Sequence, residues 1–362
     1  MSNSPSQNSR PADSGLRLLW LMILNRSCLG VGALLLIGII FSIWRLQNFV
    51  YQELVPLATQ SLTTTLNRPV KLGAVQSFSL TGVQFAASEI PATATDPDRA
   101  NIKAVDVGFD IWKLVINRNL RLDVTLINPD VYIQQDPQAR WLTTTITPGT
   151  GKGLIKTDLD KLRFRDANLV LVPRKMGGDF SLPVPVKFSG INGTAQLLNQ
   201  NKLIKLDLAA KAVSGGDISI VGDLIPQKVL AGDFRVRGQN LLSADITRLV
   251  TLPLTLQSGR VNGDLRIKVT PKQKTLLYGN AMIEGVTLQI AKIPELFNHS
   301  QGNLIFDGLV IKLDNIVTNY GQIPFTTSGT IDQQAGFNLK ARVNAVSLAN
   351  AQATLKVKLQ AE

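Results

Sequence analysis

The chain reads as a mainly β protein. An N-terminal transmembrane helix and a juxtamembrane amphipathic helix are followed by an elongated, curled antiparallel or mixed β-sheet groove with a few short helices. Three observations predict this. An uncharged apolar run fills Ser27 to Trp44, apolar residues then recur at helical spacing as far as Leu66, and beyond Pro69 the period changes to two.

Residues 27–46 are the expected membrane span, marked by Ser27, Leu34, Ile39 and Trp44. Eighteen helical residues cover about 27 Å, close to a hydrocarbon core of roughly 30 Å. Trp44 and Tyr51 follow where amphipathic rings favour the interface. Arg10, Arg17 and Arg26 precede the uncharged run Ser27 to Trp44, and only Arg45 follows that run before Arg68. This bias makes 1–26 a cytoplasmic tail and puts the bulk of the chain across the membrane. A cleaved signal peptide fits less well: the run is long, and no small-x-small site follows Trp44.

The amphipathic helix is expected over 47–67, with Val50, Leu54, Leu57, Ala58, Leu62 and Leu66 on one face. Asn67-Arg68-Pro69 stops it, and Pro56 is expected to bend it near its start. A first β unit occupies 68–147, a Gly/Thr-rich linker 148–153, and extended β repeats 154–362.

Within the repeats Ile204, Leu206 and Leu208 alternate with Lys205 and Asp207. Phe234 and Val236 sit among Asp233, Arg235 and Arg237, and Val261, Leu265, Ile267 and Val269 alternate with Asn262, Asp264, Arg266 and Lys268. Phe337, Leu339 and Val343 repeat the pattern, as do Leu355 and Val357. Such alternation gives each strand one apolar and one solvated face. Turns are signalled at Met176–Asp179, Asn192-Gly193, Ser214–Asp217 and Asn319–Gly321, and short helices at Asp110–Asn117 and Ser243–Leu249. Blocks beginning Gly232, Gly263, Gly302 and Gly329 recur, as in a sheet that grows strand by strand. Too few helices exist to cover its apolar face, so curling is the expected cover.

The 38 basic and 26 acidic residues give a net +12, of which residues 1–45 carry +3. The remaining +9 reads first as basic solvated strand faces, with attraction toward an anionic lipid surface as the second reading. The topology and the interspersed charges argue against nucleic acid. Cys28, the single cysteine, lies in the span, so no disulfide forms within the chain. His299 is the single histidine. Zinc, haem and Cys–His nucleophile chemistry are therefore poorly served, and no metal, cofactor or catalytic residue is expected. Gly149–Gly153 lacks the first glycine and the terminal Ser/Thr of a phosphate loop. Asp217, Asp233 and Asp264 read as solvated strand positions, and His299 as part of a polar loop.

What remains is the apolar face. A diacyl lipid exposes around thirty methylenes, so carrying it bare through water costs on the order of 25 kcal/mol. An apolar channel removes most of that cost. The same face packed against itself as an ordinary core is the competing reading.

The stretch Leu66-Asn67-Arg68-Pro69-Val70-Lys71-Leu72-Gly73, running on to Gly82-Val83, resembles the opening of cyanobacterial-type TamB proteins. So do Asp96-Pro97-Asp98-Arg99-Ala100, Leu122–Asp136 and Arg140-Trp141-Leu142-Thr143-Thr144. Phe306-Asp307-Gly308, Leu313–Ile316 and Tyr320–Phe325 are similar to AsmA-type repeats. The resemblance implies a single-pass inner-membrane anchor and a periplasmic β-groove in envelope biogenesis. Such a groove would carry phospholipid toward the outer membrane. The alternative it implies is a scaffold for outer-membrane protein assembly, with a BamA/TamA-like barrel as partner. It carries over no catalytic residues. Members of that family are several times longer, so this chain is expected to be an N-terminal fragment or a short form.

Overall fold

The computed structural model describes residues 52, 55–66, 68–79, 81–110, 119–136, 141, 156–174, 183–198, 202–225, 231–250, 254–271, 273–290, 295–332, 334–343 and 346–347. The tail 1–26, the span 27–46 with Ser27, Leu34, Ile39 and Trp44, and the linker 148–153 lie outside the described residues. So do the helix expected after Asp110, the turn at 176–179, and Leu355 and Val357. Among the described residues no helix is long and apolar enough to cross a membrane. The chain divides into two compact units, Met1–Leu57 and Ala58–Glu362, and the β structure belongs to the second.

Helix α1 spans Val55–Leu66. Pro56 is its second residue, where a missing N–H removes no hydrogen bond within Val55–Leu66, and the bend expected there involves residues outside those described. Past its end, the Arg68 and Val70 amides donate to Thr63 O and Thr63 Oγ1.

The strands are β1 Val75–Ser79, β2 Gly82–Phe85, β3 Ser88–Ile90, β4 Arg99–Phe109, β5 Asn119–Gln134, β6 Lys156–Val172, β7 Val186–Leu198 and β8 Leu203–Ala212. They continue as β9 Asp217–Ile225, β10 Ala231–Leu242, β11 Leu254–Val269, β12 Leu276–Ile290, β13 Phe297–Gly308, β14 Val310–Tyr320, β15 Ile323–Asp332 and β16 Gly336–Val343. Helix α2, Ser243–Leu249, joins β10 to β11 where the sequence predicts a helix. All the strands form one open sheet in chain order, except that β3 pairs beside β2 on β4. Neighbours are antiparallel except β5 and β6, which run parallel. The strands flanking 148–153 thus pair directly, and 68–147 and 154–362 share one sheet.

One device recurs from strand to strand. Asn128, Asp166, Asn240, His299 and Asn315 adopt left-handed φ between 45° and 54°, as Gly190 and Gly285 do at 58° and 60°. Register shifts coincide with them on β6, β7, β10, β12, β13 and β14. On those six strands they are β-bulges, each inserting one residue that reverses the inside/outside parity of its strand, whereas β4 and β5 keep one register across Asn128. The sequence changes parity at the same places. Leu126-Ile127-Asn128-Pro129, Phe164-Arg165-Asp166-Ala167, Phe188-Ser189-Gly190-Ile191, Ile283-Glu284-Gly285-Val286 and Leu313-Asp314-Asn315-Ile316 share one form. Each reads apolar, any residue, Asn/Asp/Gly, apolar. The bulges line up as a seam across the sheet, and both arms of each strand keep their apolar side chains on one face.

A bulge strands an amide, and a buried or half-buried N–H needs a partner. Asn192 Oδ1 accepts the Asp166 amide at 3.0 Å, and Asn262 Oδ1 accepts the Asn240 amide at 2.8 Å. Two expectations are corrected here. Asn192-Gly193 is not a turn but lies inside β7, its amide side chain serving the neighbouring bulge. His299 is not in a loop but is the bulged residue of β13. Ser214–Gly216 and Gly321-Gln322 do form turns.

Gly285 and Gly279 separate two uses of glycine. At Gly285 an added Cβ meets open space, whereas at Gly279, with φ 123°, it would lie 2.1 Å from Asp264 O. Gly285→Asn should therefore shift stability by no more than about 0.5 kcal/mol. Gly279→Ala should cost about 2 kcal/mol. Urea unfolding midpoints of the two variants check this.

Candidate functional site

The register brings the alternating strands into transverse rows. One row runs Phe85, Val105, Leu126, Phe164, Gly193, Leu208, Ile220 and Val236 from β2 to β10. It continues through Leu265, Gly279, Phe306, Ile311, Ile331 and Phe337 to β16. A second row runs Val83, Val107, Val124, Leu162, Ala195, Leu206, Gly222, Phe234, Ile267 and Leu277. Neither row contains a charged or polar side chain.

Every sequence-predicted face residue that is described lies on this one face. Leu208, Val236, Leu265 and Phe337 are in the first row, and Leu206, Phe234 and Ile267 in the second. Ile204 and Val269 belong to a row near the strand ends, through Leu224 and Gly232. Val261 stands beside Ile283, Leu339 across from Gly329, and Val343 across from Phe325. The alternation scan missed Phe85, Val105, Leu126, Phe164 and Phe306, although Leu122–Leu126 and Leu162–Phe164 alternate too. It also missed the face glycines, which carry no hydropathy signal. Three of them oppose phenylalanines: Gly193 and Phe164, Gly222 and Phe234, Gly279 and Phe306.

The apolar face is not uniform. On one side of the seam, side chains are sealed: Val286 is 0% exposed, Val186 1% and Ala167 3%. Helix α2 straddles the seam, its Ile246 packed on a cluster with Val286 and Ile316 on this side and Val261, Ala281 and Ile283 on the other. Leu242 gives α2 no side-chain cap, and seven residues are too few for an independent helix, so docking holds it. Thr247 Oγ1 bonds both Leu256 N and O, and Ser243 Oγ donates to Ser258 O. Asp245 accepts from Ser214 Oγ and Arg248, Arg260 donates to Ser214 O and Asn240 O, and Trp141 Nε1 reaches Leu249 O. On the other side of the seam Phe234, Val236, Leu265 and Ile267 are only half-buried. At the edge strand Phe337 is 76% exposed.

The opposite face is ionic. Arg235 grips Asp264 through two bonds of 2.8 and 2.7 Å, Arg266 grips Asp233 at 2.7 and 2.6 Å, and Arg237 also reaches Asp264. Arg235 stands directly opposite Arg266, so both pairs are diagonal. The Arg235 hydrogen bond, helped by Arg237, holds the Asp264 carboxyl down at about 2. Asp233 is lowered chiefly by Arg266. A cavity of about 620 Å³ opens here among Val221, Asp233, Arg235, Asp264, Arg266 and Tyr278. Its arginines already hold carboxylates, so it offers a ligand no free cation.

The segments Leu66–Val83, Asp96–Ala100 and Leu122–Asp136 meet at a clasp near one end of the sheet. Arg68 donates to Asp98 O at 2.5 Å and pairs with Asp96 at 3.4 Å, while Asp98 Oδ1 accepts the Gln134 amide at 2.8 Å. Burial raises the Asp98 carboxyl above its ordinary value, partly offset by the Gln134 amide. Arg99 stacks 4.0 Å over the Tyr132 ring. These residues touch nothing that marks a reaction centre. Among the described residues no group of three His, Cys, Asp or Glu could hold a metal ion, and His299 is exposed. No family model matches the chain, and no curated protein or solved structure is significantly similar to it.

Asp264 fixes a pH prediction. Its folded value, about 2, lies below the roughly 3.9 of an unfolded aspartate. Its contribution is therefore present above pH 4 and is lost as pH falls through 2. Asp264→Asn should flatten the dependence of the unfolding midpoint on pH between 4 and 2, measured by far-UV circular dichroism.

Proposed function

We propose that the chain is an inner-membrane-anchored, periplasmic TamB-like protein whose apolar sheet face carries the acyl chains of phospholipids toward the outer membrane. The observation that supports this most is the charge-free row from Leu126 to Phe337, because a lipid tail moving from strand to strand along it meets no polar side chain; Phe85 and Val105, which begin the row, are buried. A core made only for stability needs burial, and the half-buried Phe234, Leu265 and Ile267 exceed that need. The anchor is assigned to 27–46, with the N-terminus cytoplasmic. The ionic face keeps the other side of the sheet in water. The role is conduction rather than catalysis.

The alternative is a scaffold for outer-membrane protein assembly. The outer side of β16 favours it: among the described residues no strand pairs there, and exposed Phe337, Leu339 and Val343 stand beside a ladder that could accept a client strand or a BamA/TamA-like barrel.

The test is to purify the full chain in mild detergent and quantify extracted phospholipid by mass spectrometry. Phospholipid should co-purify, and Leu265→Glu should lower it at least tenfold with the circular dichroism spectrum unchanged, because a carboxylate would sit where tails pass. Arg266→Glu, on the opposite face, should leave it unchanged. Lipid-free protein overturns the reading. Crosslinks from β16 to barrel proteins, without lipid contacts, favour the scaffold.

A further inference from the structure

We infer that the outer side of β16 binds a strand of a partner polypeptide in which apolar residues alternate with acidic ones. The inference rests on the scaffold alternative, whose partner it specifies, and not on lipid transport. β15 bonds β16 along one side, and among the described residues no strand pairs with the other. A regular ladder left in this state recruits a further strand unless something blunts it. The first edge strand, β1, is blunted by its five residues, by a register shift and by polar Gln76, Ser77 and Ser79. β16 has eight residues in unbroken register with β15, from Gly336 across from Asp332 to Val343 across from Phe325. No bulge interrupts this pairing.

The apolar side chains of β16 show the same lack of a neighbour. Phe337 is 76% exposed and Val343 55%, whereas Ile331 and Phe325, across from them on β15, are half-buried. A strand added here with apolar residues at alternate positions covers their flanks and prolongs the apolar face.

The polar side chains of β16 set the sign of that strand. Elsewhere in the sheet, cations on the ionic face meet carboxylates of the next strand, as Lys205 meets Asp223 and Arg163 meets Asp123. Arg235 and Arg266 are matched in the same way. Lys340 and Arg342 are not: across from them on β15 stand Ser328 and Thr326. The single acid of β15, Asp332, lies across from Gly336 and accepts the Gln334 and Ala335 amides. Only the outer side is left to supply carboxylates to Lys340 and Arg342. A second copy of β16 brings the same cations and no acid. Residues 354–360 offer Lys356 and Lys358 at their polar positions, and again no acid. Cations on an edge turn away like strands and admit opposite ones.

Fluorescent peptides as long as β16 test this with the full chain in mild detergent. One alternates valine with glutamate, another alternates valine with lysine, and a third is the glutamate peptide with proline at its central valine. Fluorescence anisotropy should show the glutamate peptide binding about tenfold more tightly than the lysine peptide. The proline peptide should not bind, because it cannot donate along the ladder. In the double variant Lys340→Glu, Arg342→Glu, where both side chains are exposed, the preference should reverse. No binding of the glutamate peptide, equal binding of the two, or a preference that the double variant keeps overturns the inference. Photo-crosslinking from position 338 to a second copy, or to residues 354–360, overturns it too, because the ladder is then filled. These results leave phospholipid co-purification, and with it the lipid reading, untouched. Crosslinks to barrel proteins that persist in the double variant keep the scaffold and overturn its acidic partner.

Discussion

A sheet with one apolar face survives only if every strand presents the same face to its neighbours, and over sixteen strands that demand is severe. A single uncompensated inserted residue would swap the two faces for the rest of a strand. Here six long strands, β6, β7, β10, β12, β13 and β14, contain such an insertion, at Asp166, Gly190, Asn240, Gly285, His299 and Asn315, and those of β6–β7 and β12–β14 stand side by side. Because neighbours shift parity together, the rows remain in phase on both sides of the seam. The unbroken apolar rows, the seat of α2 and the separation of charges all depend on that coincidence.

The two faces hold their register by different physics. On the apolar side, phenylalanines stand across from glycines, so a large ring covers a neighbour that has no side chain. On the other side, Asp233 and Arg235 of β10 and Asp264 and Arg266 of β11 form crossed pairs. Exposed pairs of this kind add little stability. Their use lies in specificity, since a slip of two residues would break both double-bonded pairs. The same charges keep one side of a two-sided sheet wetted, which restrains stacking of copies.

The segments around Arg68, Asp96–Ala100 and Trp141 divide between two roles. Arg68, Asp96 and Asp98 bind one another and the β5 backbone, and so tie the end of α1 to the first strands. Trp141 holds the C-terminal carbonyl of α2 from 108 residues away, which ties the β5–β6 crossover to the covered part of the face. Both are structural duties. The proposed transport surface is made by residues of no distinctive identity, whose common property is that they are apolar and aligned.

Alternation alone was enough to identify a β protein with one apolar face, because side chains of a strand point to opposite sides whatever surrounds it. The register sets Leu206, Leu208, Phe234, Val236, Leu265 and Ile267 on one face, as alternation predicts, and a short helix forms at Ser243–Leu249 as expected. Alternation could not tell that Asn192-Gly193 lies within a strand, because the left-handed conformation these residues favour serves a bulge as well as a turn. His299 was misplaced for the same reason. Nor could it count glycines such as Gly193 and Gly279 as part of the face. Which strands are neighbours, and in what register, depends on hydrogen bonds between segments far apart in the chain. Only the folded sheet therefore decided that the apolar residues of separate strands form one continuous row, and that α2 covers the part of the face around Val261, Ile283 and Val286 while Phe234, Leu265 and Ile267 stay half-buried.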